Sequence, residues 1–312
     1  MHKDLSAKRV AVTGAGGFIG LHLLHGLHAA GAEIVAIVTT GKTNPGLDAL
    51  PFPVERIVVE SDRDIGDAIR QVRPRYVVHL SAIISLDRSF DMIEQTMEAN
   101  VIATISLLSA CTEVKAGRVV LMGSCEEYGQ RHCPFNATLA PDPSSPYGAS
   151  KAAATAYARM FFGSFGLPTV VLRPSVVYGP RQSPRQLISM VLEALAENRT
   201  IAVTEGRQTR DFVYVDDVVD SILIALTAPN VAGEAWNIGS GEVVTVRHCL
   251  ELIERITGRS GLIQYGARPY AVSERFHYEP MVDETYRTFN WRPAIMLEEG
   301  IVRTWQSVLK KA

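Results

Sequence analysis

The stretch that decides the fold runs from Arg9 to Gly20 and reads RVAVTGAGGFIG. Arg9 to Thr13 is a short β-branched run, and the helical stretch LHLLHGLHAA follows the glycines and ends before Gly31. A second buried-strand pattern, EIVAIV, begins at Glu33. Strand, glycine-rich turn, helix and strand within about 30 residues form the βαβ context in which a glycine motif indicates a dinucleotide site.

The glycine motif itself has the spacing GxxGxxG, with Gly14, Gly17 and Gly20 at its three positions. A side chain there would block the tight turn, the approach of backbone amides to a pyrophosphate, and the packing of helix on strand. The sequence therefore predicts that the loop contacts the cofactor through Gly14, Gly16, Gly17, Phe18, Ile19 and Gly20.

Further strand-like runs recur along the chain, with helical segments between most of them. They are Glu55 to Val59, Tyr76 to Leu80, Arg118 to Met122 and Thr169 to Leu172. Alternating apolar strands and helices predict an α/β fold, a Rossmann-type doubly wound parallel sheet. After about Arg173 the pattern loosens into loops rich in Pro, Gly and Arg. We therefore expect an NAD(P)-binding domain over residues 1–174 and a smaller C-terminal substrate-binding lobe over 175–312, with some segments returning to the first domain.

The end of the second strand favours NADP over NAD. In this fold an acid at that point binds the ribose hydroxyl and repels a 2′-phosphate. Here the strand ends Val38-Thr39-Thr40-Gly41-Lys42, with no acid. Hydroxyls and a lysine can bind a phosphate, so Thr39, Thr40 and Lys42 are predicted cofactor contacts. NAD stays open, because Lys42 can equally be a solvated turn residue.

Composition excludes several classes of partner. The chain has 312 residues, with 31 Lys plus Arg against 33 Asp plus Glu and a net charge of −2. This balance argues against nucleic acid and anionic membrane as partners. No apolar run approaches the roughly 18 residues that span a bilayer, and no signal-peptide pattern begins the chain. We expect a soluble, cytoplasmic protein.

Cysteine and histidine spacing predicts neither a disulfide framework nor a metal site. The four cysteines are far apart, with no CxxC pair. His22, His25 and His28 recur every three residues, but on a helix the first and third point about 240° apart. The cysteines are Cys111, Cys125, Cys133 and Cys249.

Three motifs together resemble one known family. They are TGAGGFIG at 13–20, the YxxxK pair Tyr147 and Lys151, and RDFVYVDDV at 210–218. In this order they resemble the extended short-chain dehydrogenase/reductases, the group of nucleotide-sugar epimerases, dehydratases and reductases, from Arg9 to about Arg303. The resemblance implies a nucleotide-diphosphate sugar as substrate. It also implies a homodimer formed through two helices, for which the segments around Tyr147 to Phe165 and Ile102 to Cys111 are candidates.

The chemistry of YxxxK follows from helix geometry. Tyr147 and Lys151 are four residues apart and project from one face, so the ammonium can stabilise the phenolate and lower its pKa toward neutrality. Tyr147 then exchanges a proton with a carbinol or ketone while a nicotinamide moves hydride. The resemblance implies that Lys151 also contacts the nicotinamide ribose and that Ser124 binds the reacting sugar oxygen.

Residues 125 and 126 bear on which reaction the site performs. In the 4,6-dehydratase branch of the family that the chain resembles, Asp-Glu or Ser-Glu is usual here and the glutamate removes a proton from C5, whereas Glu-Glu-Tyr-Gly after Gly-Ser looks more like the 4-ketoreductase and some epimerase members. Glu126 keeps that base, whereas Cys125 is a poor substitute for an acid, since a thiol has a pKa of about 8.5. We expect Cys125 and Glu126 in the substrate pocket, Cys125 as a small lining residue.

The resemblance implies additional cofactor and substrate contacts. For the cofactor these are Asp62 (with Asp64 as the alternative), Leu80, Ser81, Ala82, Asn100, which supports the active-site helix, and Pro174. For the substrate they are Arg181, Arg210 and Arg268, and guanidinium groups suit a diphosphate. Val176 stands where the family has the asparagine that usually holds the substrate phosphate.

Reduction of an NDP-4-keto-6-deoxyhexose is the leading hypothesis. NADPH would deliver hydride to C4, Tyr147 would protonate the oxygen and Ser124 would polarise the carbonyl. The alternatives are a nucleotide-sugar 4-epimerase with tightly bound NAD, a 4,6-dehydratase that uses Glu126, and a dinucleotide-binding sensor or scaffold without catalysis.

Overall fold

The computed structural model describes residues 4–41, 44–85, 87–271 and 274–310. The strands in this part of the chain are β1 (Arg9–Thr13), β2 (Glu33–Thr39), β3 (Glu55–Val59), β4 (Tyr76–His79), β5 (Arg118–Met122), β6 (Thr169–Pro174), β7 (Val176–Tyr178), β8 (Ile201–Ala202), β9 (Thr209–Tyr214), β10 (Ala235–Ile238), β11 (Val243–Thr245) and β12 (Ile263–Gln264).

The helices alternate with the strands through the first half of the chain. They are α1 (Phe18–Ala29), α2 (Pro45–Asp48), α3 (Ile65–Val72), α4 (Phe90–Thr96), α5 (Ala103–Glu113), α6 (Pro146–Phe165), α7 (Leu187–Ala196), α8 (Val215–Thr227), α9 (Val246–Thr257), α10 (Asp283–Phe289) and α11 (Leu297–Leu309). A π-helical segment, Met97–Ile102, joins α4 to α5.

The central sheet has seven parallel strands in the order β10-β6-β5-β4-β1-β2-β3. Ala11 in β1 is paired with Val35 in β2 and with Val77 in β4. After β1 the chain builds outward on one side through β2 and β3, and it then returns to place β4 on the other side of β1. The carboxyl ends of β1 and β4 therefore border a crevice, which is the usual ligand position in this class of sheet.

The sequence predicts six of these seven strands, with ends that differ by at most two residues. The prediction of a Rossmann-type doubly wound α/β fold is confirmed. The seventh strand, β10, reads AWNI and was not anticipated, because an Asn in its centre breaks the apolar run. Asn237 is nevertheless fully buried and donates to the carbonyl oxygens of Phe135 and Met281.

Two apolar cores cover the two faces of the sheet. Helices α1 and α8 pack on one face, where Leu24 and Ile222 are fully buried. Helices α3, α5 and α6 pack on the other face around Leu107 and Ala158. Segments 215–227 and 235–238 thus belong structurally with the first half of the chain, although they follow residue 174.

A separate core forms under α7, α9 and α11, with β8 and β9 beside them. Phe18 and Ile19, at the start of α1, also contact this core, so it lies against the glycine loop. In the described part of the chain no helix is both long and apolar enough to cross a membrane.

Candidate active site

The glycine loop joins β1 to α1 in a conformation that side chains would disrupt. Gly14 has a φ of +65°, and a Cβ there would lie 2.8 Å from the amide nitrogen of Ser81. A Cβ on Gly20 would lie 2.6 Å from the carbonyl oxygen of Ala15. Gly17 is the N-cap residue of α1 and has no side chain that could cap the helix. The loop therefore leads into the positive end of a 12-residue helix, which fits a pyrophosphate.

A carboxylate that follows β3 reaches the end of β2. The Thr39 hydroxyl donates to Asp62 Oδ1 at 3.1 Å, and the Ser81 hydroxyl is 3.4 Å from the same oxygen. Asp64, the alternative to Asp62, instead accepts from the amide and hydroxyl of Ser61 within its own turn. Asp62 is thus the acid that lies beside the glycine loop and the segment after β4.

The other predicted cofactor residues lie along the same edge of the sheet. Lys42 lies outside the described residues. Phe18 and Ile19 begin α1, Thr40 follows β2, Leu80 and Ala82 follow β4, and Pro174 ends β6. Gly16 faces the side chain of Asn44. These positions surround the crevice between β1 and β4.

Asn100 connects this edge to α6. It lies in the π-helical segment and is 1% exposed. Its amide donates to Ser150 Oγ at 2.9 Å and to the Ile83 carbonyl at 3.0 Å, and its oxygen accepts from the Ile83 amide at 2.8 Å. Ser150 in turn donates to the Tyr147 carbonyl at 2.8 Å. Asn100 therefore holds both the loop after β4 and the first turn of α6.

His79, at the end of β4, completes the polar layer beneath the crevice. Its Nδ1 is 2.7 Å from Thr13 Oγ1, and its Nε2 is 3.1 Å from Thr104 Oγ1. Burial, assisted by the nearby charge of Lys151, lowers the pKa of His79 to about 3. His79 is therefore a neutral link between β1 and α5 at physiological pH.

The YxxxK pair lies on the buried face of α6. The helix begins at Pro146, and Ser145 caps it by accepting from the Gly148 amide at 3.1 Å. Tyr147 and Lys151 are 8% and 6% exposed. The Lys151 ammonium donates to the Met122 carbonyl, at the end of β5, at 2.8 Å and lies 6.0 Å from the Tyr147 ring centre. Burial lowers the pKa of Lys151 to about 8.

Ser124 lies beside the Tyr147 phenol. Burial raises the pKa of Tyr147 above its ordinary value, and the Ser124 hydroxyl opposes that shift. This differs from the expectation that Lys151 would lower that pKa toward neutrality. The reason is geometric, because the ammonium is bound to the carbonyl of Met122 and burial is the larger effect.

The turn after β5 places its side chains on opposite sides. Glu126 is partly exposed and lines a large cavity, and burial raises its pKa while Arg210 opposes the shift. Cys125 is only 1% exposed, and its thiol faces the carbonyl of Arg173 at 3.4 Å. The structure therefore does not bring Cys125 to the substrate pocket, contrary to the expectation, and burial raises the pKa of its thiol.

Sequence reasoning missed a buried ion pair behind this turn. Glu127 and Arg173 are 0% and 1% exposed, and Arg173 Nη2 lies 2.7 Å from Glu127 Oε2. The only signal in the sequence is the pair of adjacent glutamates, of which one faces the cavity and the other the core. Alternation of faces along the turn explains that split.

The cavity above the turn has a volume of about 1240 Å³ and lies between the two halves of the chain. Glu126 and Glu274 are its glutamates, and its six arginines are Arg88, Arg131, Arg185, Arg210, Arg268 and Arg275. Arg210 is held by Glu274 at 2.6 Å and donates to the Arg275 carbonyl at 2.9 Å. The excess of positive charge fits a diphosphate.

Two of the three predicted substrate arginines line this cavity. They are Arg210 and Arg268. Arg181 does not line it; it is exposed, and a Cβ on Gly46 would lie 3.1 Å from its Nη1. Within the described residues, no group of three or more His, Cys, Asp or Glu side chains could hold a metal ion.

Comparison with known proteins gives one consistent result. Residues 10–239 match the model of the NAD-dependent epimerase/dehydratase family. The chain is 31% identical to UDP-glucose 4-epimerase of Mycolicibacterium smegmatis over 95% of this chain and 97% of the relative. It is 29% identical to mouse dTDP-D-glucose 4,6-dehydratase over 96% and 88%, respectively.

A solved structure extends the comparison to three dimensions. UDP-glucuronic acid 4-epimerase of Bacillus cereus, in complex with UDP-glucuronic acid and NAD, superposes with a TM-score of 0.87. The match has 25% identity and covers 97% of this chain and all of the other.

The neutral state of His79 predicts a specific loss of stability on acidification. The unfolded chain binds a proton at this histidine below about pH 6.5, whereas the folded chain does not until about pH 3, so the free energy of unfolding falls as the pH drops between these values. Between about pH 7 and pH 5.5 we expect wild type to lose about 1 kcal/mol more than His79→Asn in urea titrations. His248→Gln, at an exposed position, is the matched control. Equal pH dependence of wild type and His79→Asn would contradict the assignment.

Proposed function

Because the chain belongs to the NAD-dependent epimerase/dehydratase family, we propose that it interconverts two nucleotide-diphosphate sugars that differ in configuration at C4, with NAD bound throughout the cycle. The observation that carries the proposal is that Glu126 and Ser145, which lie two residues from Ser124 and Tyr147, respectively, line a roomy cavity that six arginines also line. Lys151 lies 6.0 Å from the Tyr147 ring centre. The M. smegmatis and B. cereus relatives are named as 4-epimerases.

The residues of the crevice fit a dinucleotide and favour NAD. The backbone amides at the start of α1 would hold the pyrophosphate, and Asp62 lies within hydrogen-bond distance of Thr39 at the end of β2. A carboxylate in that position repels a 2′-phosphate. Asp62 therefore favours NAD over NADP, contrary to the expectation from β2, which itself contains no acid at its end. Bound NAD would supply the acceptor for the hydrogen on C4 and return it as hydride.

The proton steps belong to Tyr147. It accepts the proton of the C4 hydroxyl as the C–H bond breaks, and it returns the proton to the C4 oxygen when hydride is delivered back. Ser124 donates a hydrogen bond to the same oxygen. Bound NAD would supply a positive charge on its oxidised nicotinamide ring that stabilises the phenolate form of Tyr147, and the Lys151 ammonium, 6.0 Å from the tyrosine ring centre, would add to it.

Inversion requires the 4-keto sugar to present its other face to the same hydride donor. The diphosphate would remain on Arg210 and Arg268 while the sugar turns, and a cavity of about 1240 Å³ leaves room for that rotation. A 4,6-dehydratase would also need an acid to protonate the leaving C6 hydroxyl. The burial of Cys125 argues against that reaction, because its thiol faces the Arg173 carbonyl.

Tyr147→Phe tests the proposed reaction. We expect NMR to show interconversion of UDP-glucose and UDP-galactose, or of the corresponding uronic acids, by the purified protein. Tyr147→Phe should lower kcat by about 100-fold or more and retain bound NAD, because the cofactor contacts remain. Tyr157→Phe, on the same helix and 38% exposed, is the matched control.

Other products would select another hypothesis. Net reduction of a 4-keto-6-deoxy sugar with consumption of one NADPH per turnover would support the 4-ketoreductase. A 4-keto product that depends on Glu126 would support the dehydratase. NAD binding without turnover of any of these substrates would support a sensor or scaffold.

We also propose that the protein is a homodimer. An exposed apolar stripe follows α4 and the π-helical segment at Phe90, Ile93 and Met97, which are 89%, 48% and 47% exposed. Helix α6 packs against α4 and adds Phe162 and Phe165, at 40% and 58% exposed. Exposed apolar residues on two neighbouring helices are typical of an interaction site. Pairing of the two helices with their copies in a second chain would bury it.

Light scattering after gel filtration tests the dimer. We expect the mass of two chains for wild type and of one chain for Phe90→Glu/Ile93→Glu, because the introduced charges would be buried at the interface. Val58→Glu, at an apolar residue 62% exposed on the edge strand β3, is the matched control. A monomeric wild type, or a double variant that still dimerises, would contradict the proposal.

A further inference from the structure

The carboxylate of Glu127 is the centre of a hydrogen-bond network that reaches the active-site turn. It is 0% exposed. Its Oε1 accepts from the Ser124 amide at 2.9 Å, and its Oε2 accepts from Arg173 Nε at 2.9 Å and Nη2 at 2.7 Å. A hydrogen bond to an ionised acceptor is stronger than a neutral one. Glu127 therefore ties the main chain of Ser124 to a rigid partner in β6.

The partner side chain is itself fixed on every side. Arg173 Nη1 donates to the Tyr128 hydroxyl at 3.1 Å and to the Ala137 carbonyl at 3.0 Å. The Tyr128 hydroxyl donates to Asn237 Oδ1 in β10 at 2.5 Å. Because each buried polar group in this chain of contacts has a partner, the network holds one geometry.

We propose that Glu127 is a positioning residue for the reaction: it holds Ser124 so that the serine hydroxyl lies against the Tyr147 phenol and the C4 oxygen of the substrate. The inference rests on the proposed function only through the roles of Ser124 and Tyr147. An apolar side chain at this position could fill the space, but it could not bind both the Ser124 amide and Arg173.

The charge of Glu127 also acts on the two titrating groups of the site. Burial lowers the pKa of Lys151, and the negative charge of Glu127 opposes that shift. Burial raises the pKa of Tyr147, and the charges of Glu126 and Glu127 add to that shift. His79 faces Lys151 from β4. The negative charge of Glu127 also contributes to the pKa shifts of Cys125, Tyr128 and Arg173.

Two substitutions separate geometry from charge. Glu127→Asp keeps the charge but shortens the side chain by one methylene, so it cannot reach both partners. Glu127→Gln keeps the length and removes the charge. Since Glu127→Gln leaves Arg173 without a counter-ion, Glu127→Gln/Arg173→Met is made alongside it, so that no unpaired charge is buried. Glu197→Gln, which breaks an exposed ion pair with Arg199, is the control.

The holoenzyme should respond to the variants in distinct ways. For Glu127→Asp we expect kcat to fall about 10- to 100-fold with little change in KM, because a misplacement of about 1 Å is costly in the transition state. The pH profile of kcat for Glu127→Asp should coincide with that of wild type, because the charge is kept. In Glu127→Gln both limbs of the pH profile should move to lower pH, because removal of a negative charge lowers the pKa of Lys151 and of Tyr147. In the double variant the loss of the Arg173 positive charge opposes that shift, so the limbs should lie closer to their wild-type positions.

A second readout does not depend on turnover. Hydrogen–deuterium exchange of the peptide 122–129 should be faster in Glu127→Asp than in wild type and in Glu197→Gln at equal melting temperature, because the Ser124 amide loses its acceptor. Wild-type kcat and wild-type exchange in Glu127→Asp would overturn the inference. An inactive wild type would count against the proposed function, and the exchange data would then decide the positioning role alone.

Discussion

The rest of the active site depends on the buried ammonium of Lys151 and its bond to the Met122 carbonyl. A buried ammonium destabilises the folded protein unless it has a hydrogen-bond partner. The contact with Met122 therefore fixes how α6 lies across the end of β5. Once α6 is fixed, Tyr147 lies one turn earlier on the same face, and Ser124, two residues after β5, lies beside it. The arrangement of Ser124, Tyr147 and Lys151 is thus a consequence of one buried charge at the carboxyl edge of the sheet.

The parallel sheet supplies the remaining parts at the same edge. The glycine loop follows β1, and Ser81 follows β4. Asp62 accepts a hydrogen bond from Thr39 at the end of β2 and lies 3.4 Å from the Ser81 hydroxyl. Neutral hydrogen-bond links such as His79 and Asn100 hold these segments together without adding charge. The lobe of α7, α9 and α11 adjoins a cavity lined by six arginines, whose positive charge fits a diphosphate.

The sequence allowed prediction of what depends on local pattern. The glycine loop, six strands and the YxxxK helix follow from spacing and hydrophobicity, and the structure has them at the expected residues. The sequence did not allow prediction of which side chains of the turn after β5 face the core and which face the cavity. Cys125 and Glu127 point into the core while Glu126 faces the cavity, and only the path of the chain after β5 decides this. Burial likewise raises the pKa of Tyr147, and burial depends on the tertiary structure. The buried Asn237 in β10 is stabilised by tertiary hydrogen bonds that no local sequence pattern shows.

Isotope retention tests the central claim most directly, that one Tyr147-centred site removes and returns the same hydrogen at C4. The substrate would carry deuterium at C4, and the product epimer would be isolated after equilibration with excess unlabelled NADH and NADPH in solution. The account predicts that the epimer keeps its deuterium and that neither free cofactor is consumed. Loss of deuterium to the free cofactor pool, or oxidation of one NADPH per product, would contradict it.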